Sequence, residues 1–307
     1  THLRGAHNAM GQVLFHLGEF ALAQDHLEQG IALYDPRKHS PLVSDAVLHL
    51  ASLSFASRAL WLLGYPDQAL KRNQESVVLA QELSDPYSLA FALNTAAWLH
   101  QFRRERQAVQ DRAGVMLALS SEQGFVRNLV LGTLWRDSVL AEQGQGEEGV
   151  ARLRQDLVAY RATGSEIYRP YWLALLAEAY GRVGQVEEGL AVLAEALTTV
   201  DKTGERWYEA ELYRLKGTLT LQSKVQGPKS QVEEAEACFH RAIEIARRQQ
   251  AKSLELRAAM SLSRLWQQQG KKAEARQMLA DIYGWFTEGF DTKDLQEARA
   301  LIEELSH

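Results

Sequence analysis

One pattern recurs along the chain and constrains its fold more than any other feature. A glycine ends an apolar segment, and five residues later a small residue stands inside the next segment, as in Leu17–Leu27 and Leu63–Leu70. Glycine accepts the left-handed backbone that ends a helix, and a small residue lets two helices approach closely. The pattern therefore predicts a series of helical hairpins. The small positions are Ala23, Ala69, Ala108, Gly149, Gly189, Ala235 and Ala275, which lie 39 to 46 residues apart.

The composition agrees with an all-helical chain. Good helix formers dominate, Pro occurs only 6 times, and alternating strand-like runs are almost absent. One hairpin cannot bury its apolar face alone, whereas stacked hairpins form a right-handed superhelix with a concave groove. We predict a single all-α solenoid domain over 1–307. Its hairpins are expected at about 1–35, 41–83, 86–122, 124–163, 166–203, 205–249 and 251–287, with a capping helix at 291–306.

The spacing resembles that of the tetratricopeptide repeat. In the first hairpin Gly11, Gly18, Phe20, Ala23 and Leu27 follow the order of small, glycine, aromatic, small and large residues in its consensus. The fifth and sixth hairpins fit in a similar way. The third departs from the pattern, because Arg103 stands where the glycine is expected.

Charge and cysteine content restrict the functional classes. The formal net charge of -5 argues against a dedicated nucleic-acid binder, whose phosphate contacts need a basic surface. Cys238 is the only cysteine and is expected to be a buried, inert thiol, which suits a reducing cytoplasmic setting. No apolar run is expected to span a bilayer, and the N-terminus lacks a signal-peptide pattern. The missing initiator Met indicates a piece of a longer chain.

Several tempting motifs are better explained by the repeat, so we predict no catalytic, cofactor-binding or metal-binding residue. The segment Gly144–Gly149 matches G-x-G-x-x-G, but a helix precedes it and a dinucleotide site needs a strand there. No metal-binding His spacing, phosphate loop or nucleophile motif occurs. We interpret the equal spacing of four tryptophans as coincidence and the side chains as core or groove wall. They are Trp61, Trp98, Trp135 and Trp172, each 37 residues after the last.

A ligand or partner is expected along the first helices of the hairpins, whose exposed faces would line the groove. The groove is predicted to become cationic toward its C-terminal end, where arginine forks could hold a carboxylate or phosphate. The opposing interpretation is a solvated face with each arginine paired to a glutamate. The candidate contacts are Asn8, Gln12, Arg58, Trp61, His100, Tyr171, Glu178, Arg214, Arg257 and Arg264.

The aromatic segment Tyr283–Asp294 is predicted to end the stack rather than to form an active loop. Trp285, Phe286 and Phe290 are expected to fill the space beneath the capping helix. Asp291 and Asp294 resemble the two ends of a capping box at the start of that helix.

The chain also resembles the C-terminal repeat region of large bacterial signalling ATPases, most specifically after Gly204. The residues that carry this likeness are Gly204–Gly217, Ala235–Leu262 and Tyr283–Leu295. Members of that family join an AAA/STAND-type ATPase and a cyclase-like or DNA-binding output domain to tetratricopeptide repeats. The resemblance implies ATPase and output domains upstream, and a repeat region that senses a protein, a peptide or a small signalling ligand. It transfers no ligand motif to individual residues.

Other functional classes stay open at this point. A stand-alone scaffold for protein assembly would need the same fold and no ATPase. An all-α enzyme would need a convergent set of nucleophile, base or metal ligands, and none is recognisable. Nucleic-acid binding by the arginine-rich end would give an affinity that falls steeply with salt.

Overall fold

A computed structural model describes residues 2–35, 43–142, 146–225 and 227–307, and within these ranges the chain forms 15 α-helices and no strand. The predicted all-α solenoid fold is confirmed. The helices are α1 (His2–Leu17), α2 (Phe20–Ala32), α3 (Val43–Leu63), α4 (Pro66–Leu83), α5 (Pro86–Phe102), α6 (Arg106–Gln123), α7 (Val126–Glu142), α8 (Gly146–Ala162), α9 (Arg169–Arg182), α10 (Val186–Thr203), α11 (Glu209–Gln222), α12 (Pro228–Arg248), α13 (Lys252–Gln268), α14 (Lys272–Tyr283) and α15 (Lys293–Glu304).

The chain divides into two compact units. Unit 1 comprises residues 1–140 and 152–165, and unit 2 comprises residues 141–151 and 166–307. First helices pack against the second helices that follow them: α1 on α2, α3 on α4 and α5 on α6 in unit 1, and α9 on α10, α11 on α12 and α13 on α14 in unit 2. One continuous domain with the predicted hairpin bounds stays a prediction.

Left-handed residues end the helices at intervals of 20 residues through the middle of the chain. Such a regular return of the chain is what a solenoid of equal hairpins needs. Gly144, which would continue the series, lies outside the described residues. The positions with positive φ at this interval are Gly64, Ser84, Arg104, Gly124, Gly164, Gly184 and Gly204.

The third hairpin requires a correction to the predicted register. Arg104, with a φ of 62°, takes the left-handed conformation that the sequence pattern assigned to Arg103. Helix α5 runs one residue further than expected, so the buried position of α6 is Val109 and not Ala108. After this correction Val109 lies 40 residues from both Ala69 and Gly149.

Small residues are needed where the two helices of a hairpin cross. A Cβ atom on Gly11 would lie 2.6 Å from Cγ of Leu27, and one on Gly217 would lie 2.7 Å from the Phe239 ring. Both distances are shorter than van der Waals contact allows, so any larger side chain would push the helices apart.

The four evenly spaced tryptophans are all buried, as the predicted role in the core requires. An interval of 37 residues moves each Trp back by three residues, about one helical turn, relative to the 40-residue hairpin interval. Each step of three residues turns the side chain by about 60° around the helix, so only neighbouring members of the series lie on a similar face. In unit 1 the stacked pair of Trp61 and Phe102 continues through edge contacts of Phe102 with Trp98 and of Trp98 with Trp135.

The C-terminal segment caps unit 2, with two differences from the prediction. Phe286 is buried against Leu295 and Leu301 of α15, and Trp285 packs against the same cluster. Phe290, however, is 49% exposed and lies at the edge of this layer, beside Tyr283.

The predicted capping box at α15 is also wrong. Thr292 is the N-cap residue, and no side-chain cap bond forms there. The Asp294 carboxylate instead accepts a hydrogen bond from Arg257 on α13. Asp294 thus binds the Arg257 guanidinium instead of a backbone N–H group in the first turn of α15.

One helix passes a simple test for a membrane span, contrary to the expectation that none would. The segment Asp45–Leu63 of α3 is long and apolar enough by length and composition. Two thirds of it is buried inside the protein, as in a core helix.

Candidate functional site

Four of the ten predicted groove residues are enclosed by their own helices. A side chain without exposed surface cannot touch a partner unless the helices rearrange, so these four hold the hairpins together in this structure. They are Asn8, Arg58, Trp61 and Tyr171, each at most 4% exposed. The six that keep exposed surface are Gln12, His100, Glu178, Arg214, Arg257 and Arg264.

In unit 1 several polar groups on the first helices satisfy one another, and Arg4 of α1 forms a buried ion pair with Asp45 of α3. Asn8 donates to the Ser52 hydroxyl at 2.9 Å and accepts from Gln12 at 2.6 Å. His100 Nδ1 lies 2.6 Å from the carboxylate of Glu105. The Asn8–Ser52 bond and the Arg4–Asp45 pair join α1 to α3.

Arg58 is the central cation of unit 1, and it is not available to an anion. Its guanidinium lies 5.1 Å from the ring centroids of both Phe55 and Trp98. It also donates to the Thr95 hydroxyl at 3.1 Å. Cation–π contacts stabilise the buried charge in place of water.

Unit 2 differs, because ionised side chains follow its first helices and the capping helix. Helix α11 contacts both α9 and α13, and α13 contacts α15, so side chains on these four helices can meet in sequence. We call this set the charged row: Glu178 on α9, Glu211 and Arg214 on α11, Arg257 and Arg264 on α13, and Asp294 and Glu297 on α15.

The central members of the charged row form a continuous chain of ion pairs. Arg214 holds the two carboxylate oxygens of Glu211 at 2.9 and 2.7 Å. Glu211 also lies 3.9 Å from Arg257, whose Nε donates to Asp294 at 2.7 Å. Side-chain exposures of 5 to 17% show that these four groups are largely removed from solvent.

The same pairs fix the protonation states of the arginines. Burial alone would lower the pKa of each guanidinium, since it penalises the charged form. The Glu211 carboxylate outweighs this effect for Arg214, and Asp294 together with Glu211 outweighs it for Arg257, so both pKa values are raised. Both arginines are therefore permanent cations.

An aromatic cluster lies among the same helices. The rings of Tyr171, Trp207 and Tyr208 have centroids 4.9 to 5.5 Å apart. Burial raises the pKa of both tyrosines well above the usual range, so both hydroxyls stay neutral. This cluster gives the charged row a rigid support.

The outer members of the charged row are open to solvent. Arg264 has 52% of its side chain exposed and lies 3.8 Å from Glu297. Glu178 is about one third exposed and accepts from Arg182 at 2.8 Å. The predicted cationic end is thus a row of alternating signs, because Glu211, Asp294 and Glu297 accompany the arginines.

Glu205 is a structural residue that the sequence pattern did not reveal. Its buried carboxylate accepts the backbone N–H of Tyr168 at 2.9 and 3.1 Å. It also accepts from the Trp207 indole at 2.8 Å. This carboxylate therefore links two consecutive hairpins of unit 2. It lies 37 residues from Tyr168, so no local sequence motif predicts the bond.

Two acids of unit 1 also meet unexpectedly. Asp156 interacts with the side chains of Asp137 and Thr133, and Arg136 binds Asp137 at 2.7 Å. Burial, followed by the repulsion of Asp137, raises the pKa of Asp156 to about 7. Asp137 and Asp156 lie on different helices, α7 and α8, so no local sequence motif predicts their contact.

A cavity of about 680 Å³ is lined mainly by α14 and the start of α13, with Arg247 from the end of α12. At its rim Arg247 and Lys252 both bind Glu255, at 2.7 and 2.8 Å. The Lys252 ammonium also lies 5.8 Å from the Trp285 ring centroid. Its charged groups are thus engaged with one another.

Three segments of the chain match a protein-family model for the tetratricopeptide repeat: residues 5–29, 50–71 and 256–281. The first and last contain Ala23 and Ala275, and the middle one contains Ala69. The repeat predicted from the glycine and small-residue pattern is confirmed in these segments.

An uncharacterized protein of Rhizobium meliloti (strain 1021) is 26% identical over 260 residues. The match covers 82% of this chain but only 24% of that protein, so the chain spans about a quarter of the length of this curated relative. Most of the relative lies outside the shared segment.

Among solved structures, a Rap protein complexed with competence and sporulation factor is similar with a TM-score of 0.59 and 9% identity. That likeness covers 100% of this chain and 98% of the Rap chain, and it shows the fold alone. A STAND protein with a tetratricopeptide repeat sensor from Pyrococcus horikoshii has a TM-score of 0.47 and 15% identity, over 98% of this chain and 43% of that one.

Proposed function

We propose that this chain is the non-catalytic, partner-binding region of a larger bacterial signalling ATPase that works in the cytoplasm. The charged row of unit 2 is the observation that carries the proposal. It presents charges of both signs on successive first helices and on the capping helix, and two of its members, Glu178 and Arg264, are accessible.

The row suits a protein or peptide better than a simple anion. Arg214 and Arg257 already hold carboxylates, so a lone phosphate would have to displace Glu211 or Asp294. A segment with charges of both signs could add to the row and leave these pairs intact. Because the pairs are held before binding, little reorganisation opposes association.

A small signalling ligand with both an acidic and a basic group remains a second occupant of the same row. Its acidic group would bind Arg264 and its basic group would bind Glu178, and it would bury less protein surface than a peptide. A peptide is favoured because the row extends over four helices, α9, α11, α13 and α15.

A non-catalytic role is supported by the causes of the shifted pKa values in the charged row and in the aromatic cluster of Tyr171, Trp207 and Tyr208. The raised values of Arg214 and Arg257 follow from ion pairs, and those of Tyr171 and Tyr208 follow from burial. None of these four pKa values is shifted toward 7, as that of a general acid or base would be. Binding would instead bias an ATPase and an output domain joined upstream.

A thermal-shift screen of this chain tests the proposal. The probes are peptides of mixed charge, amino acids, sugars and nucleotides. A bound probe raises the melting temperature, because saturation at 100 times Kd adds about 2.7 kcal/mol to the free energy of unfolding. We expect hits among the mixed-charge peptides.

The matched variants are Arg264→Glu on the charged row and Arg241→Glu on the second helix α12. Both arginines are about half exposed and paired with a glutamate. Arg264→Glu should abolish the shift and Arg241→Glu should leave it unchanged. Equal losses in the two variants, or hits confined to nucleotides, would contradict binding at the charged row.

A further inference from the structure

The first helix carries an apolar stripe that is exposed to solvent. Five residues at alternating steps of three and four positions fall on one face of α1, as in a helix that packs against another helix. The stripe consists of Leu3 (61% exposed), Ala6, Met10 (47%), Val13 (55%) and Leu17 (45%). Leu22 of α2, 53% exposed, extends the same apolar surface.

Helix α13 buries the equivalents of four of the five stripe residues, while that of Leu17, Gln269, is exposed. Counted from the left-handed residue that ends each helix, Gly18 in α1 and Gly270 in α13, the stripe residue Val13 corresponds to Leu265. Leu265 is 3% exposed, and Leu262, the equivalent of Met10, is fully buried.

These equivalents bury themselves against the preceding second helix. Ala258, Leu262 and Leu265 of α13 form one cluster with Phe239 and Ala242 of α12. The stripe is therefore the surface that a first helix uses to pack on the hairpin before it.

Two more helices show the same arrangement at the position of Ala6. A Cβ atom on Gly30 of α2 would lie 3.4 Å from Ser52, the equivalent residue of α3. Ala92, the equivalent residue of α5, packs with Ala80 of α4. Among α1, α3, α5 and α13, only α1 presents this surface to solvent.

The exposed face of the last helix, α15, is polar. The exposed residues of α15 include Lys293, Gln296, Arg299 and Glu303, which are polar. A repeat array normally ends in a helix with a polar outer face. Helix α15 has such a face, whereas the exposed face of α1 is apolar, as on a helix in the interior of an array.

We propose that the stripe of α1, with Leu22, is the docking surface for one further helical hairpin supplied by the residues that precede Thr1 in the full-length protein. The register favours this occupant, since in α3, α5 and α13 the same positions receive the preceding hairpin of the same chain. The curated relative, of which this chain matches 24%, has ample length for such a hairpin. The inference does not depend on what the charged row binds.

Cysteine reactivity tests the proposal in a Cys238→Ser background. Val13→Cys reports on the stripe, and Val115→Cys of α6 is a matched control, because the two valines are 55% and 52% exposed. Each variant is prepared as residues 1–307 and as the full-length protein, and the rate of alkylation by a maleimide is measured under native conditions. In residues 1–307 the two thiols should react at similar rates.

In the full-length protein the thiol at position 13 should react about tenfold or more slowly, as a packed helix face requires, and the one at position 115 should not change. Met10→Cys, whose equivalent in α13 is the buried Leu262, gives a second reporter on the stripe if Val13→Cys folds poorly. Equal rates in the two proteins would overturn the proposal. Concentration-dependent protection in residues 1–307, with a dimer by light scattering, would overturn it in favour of a second copy as occupant.

Discussion

Arg58 in unit 1 and Arg257 in unit 2 are both largely buried on a first helix, but different partners surround their charges. On the first helices of unit 1, neutral groups such as Asn8 and Ser52 bond to each other, and the buried cation Arg58 lies against aromatic rings. On those of unit 2, Arg257 and Asp294 form a largely buried ion pair. A neutral bond is worth about 1 kcal/mol net, whereas a buried charge without its partner is far more destabilising.

This difference determines whether the charged groups of a unit can contact a partner. In unit 1 the cations Arg58 and Arg4, the latter paired with Asp45, are each 1% exposed, so neither is open to a partner. Unit 2 keeps ionised groups partly accessible, at the risk of instability when one of a pair is lost. Substitutions in each unit test one side of this contrast.

The largest effect is expected for Asp294→Ala. The substitution leaves Arg257, with 11% of its side chain exposed, without its closest carboxylate. Breaking a buried pair in this way destabilises a protein by about 3–5 kcal/mol. Urea unfolding followed by circular dichroism would measure the loss.

A double variant distinguishes lost charge balance from lost packing. Arg257→Met combined with Asp294→Leu removes both charges, and we expect it to recover most of the stability, because apolar replacements of buried pairs are often neutral. If the double variant were as unstable as Asp294→Ala, the ion pair would not be the cause.

A smaller effect, about 1–3 kcal/mol, is expected for Trp135→Phe in unit 1. The Trp135 indole donates to Asn94 at 2.8 Å, so its removal leaves a buried acceptor unpaired. Adding Asn94→Leu should recover part of the loss, since no unsatisfied group then remains. Two equally unstable variants would show that the aromatic contact with Trp98 dominates instead.

Sequence alone predicted the repeat and the helical class because both depend on local rules. Glycine at Gly18, Gly64, Gly184 and Gly270 adopts the left-handed backbone where the pattern expected it. The pattern failed by one residue at Arg104, because a non-glycine residue took the left-handed conformation. A short polar or flexible side chain can do so, but composition does not signal it.

The candidate site was harder to predict because burial depends on neighbours in space. Helical phase placed Trp61 and Tyr171 on the correct helices, yet both are packed inside. The carboxylates Glu211 and Asp294, which decide the charge of the row, lie 46 and 37 residues from the arginine Arg257 that they share. Such pairing follows from hairpin stacking, and no local spacing encodes it.

A pH-dependent effect of about 1 kcal/mol, allowing for the solvent that reaches this carboxyl, is expected from Asp156 in unit 1. Its pKa is about 7 in the folded protein, against about 3.9 in an unfolded chain. The folded state therefore holds the proton between about pH 4 and 7, and the free energy of unfolding falls as the pH rises through that interval.

Asp156→Asn removes the proton-binding group and should flatten this dependence. The variant should be more stable than the natural protein at pH 8 and similar to it near pH 4. Urea midpoints across pH 4 to 8 would measure the difference. An unchanged slope would indicate that Asp137, Arg136 and Thr133 hold Asp156 in its ionised form.

The smallest effect on stability is expected for Arg264→Ala at the open end of the charged row. With 52% of its side chain exposed and Glu297 at 3.8 Å, this pair should contribute less than about 0.5 kcal/mol. Arg299→Ala, whose partner Glu303 lies on the same exposed helix face, is the matched control. Similar urea midpoints for both variants would place Arg264 outside the stabilising network, and a loss above about 1 kcal/mol would place it inside, beside Arg257. If its stability is unchanged, lost binding in Arg264→Ala must come from the lost contact, because the fold is intact.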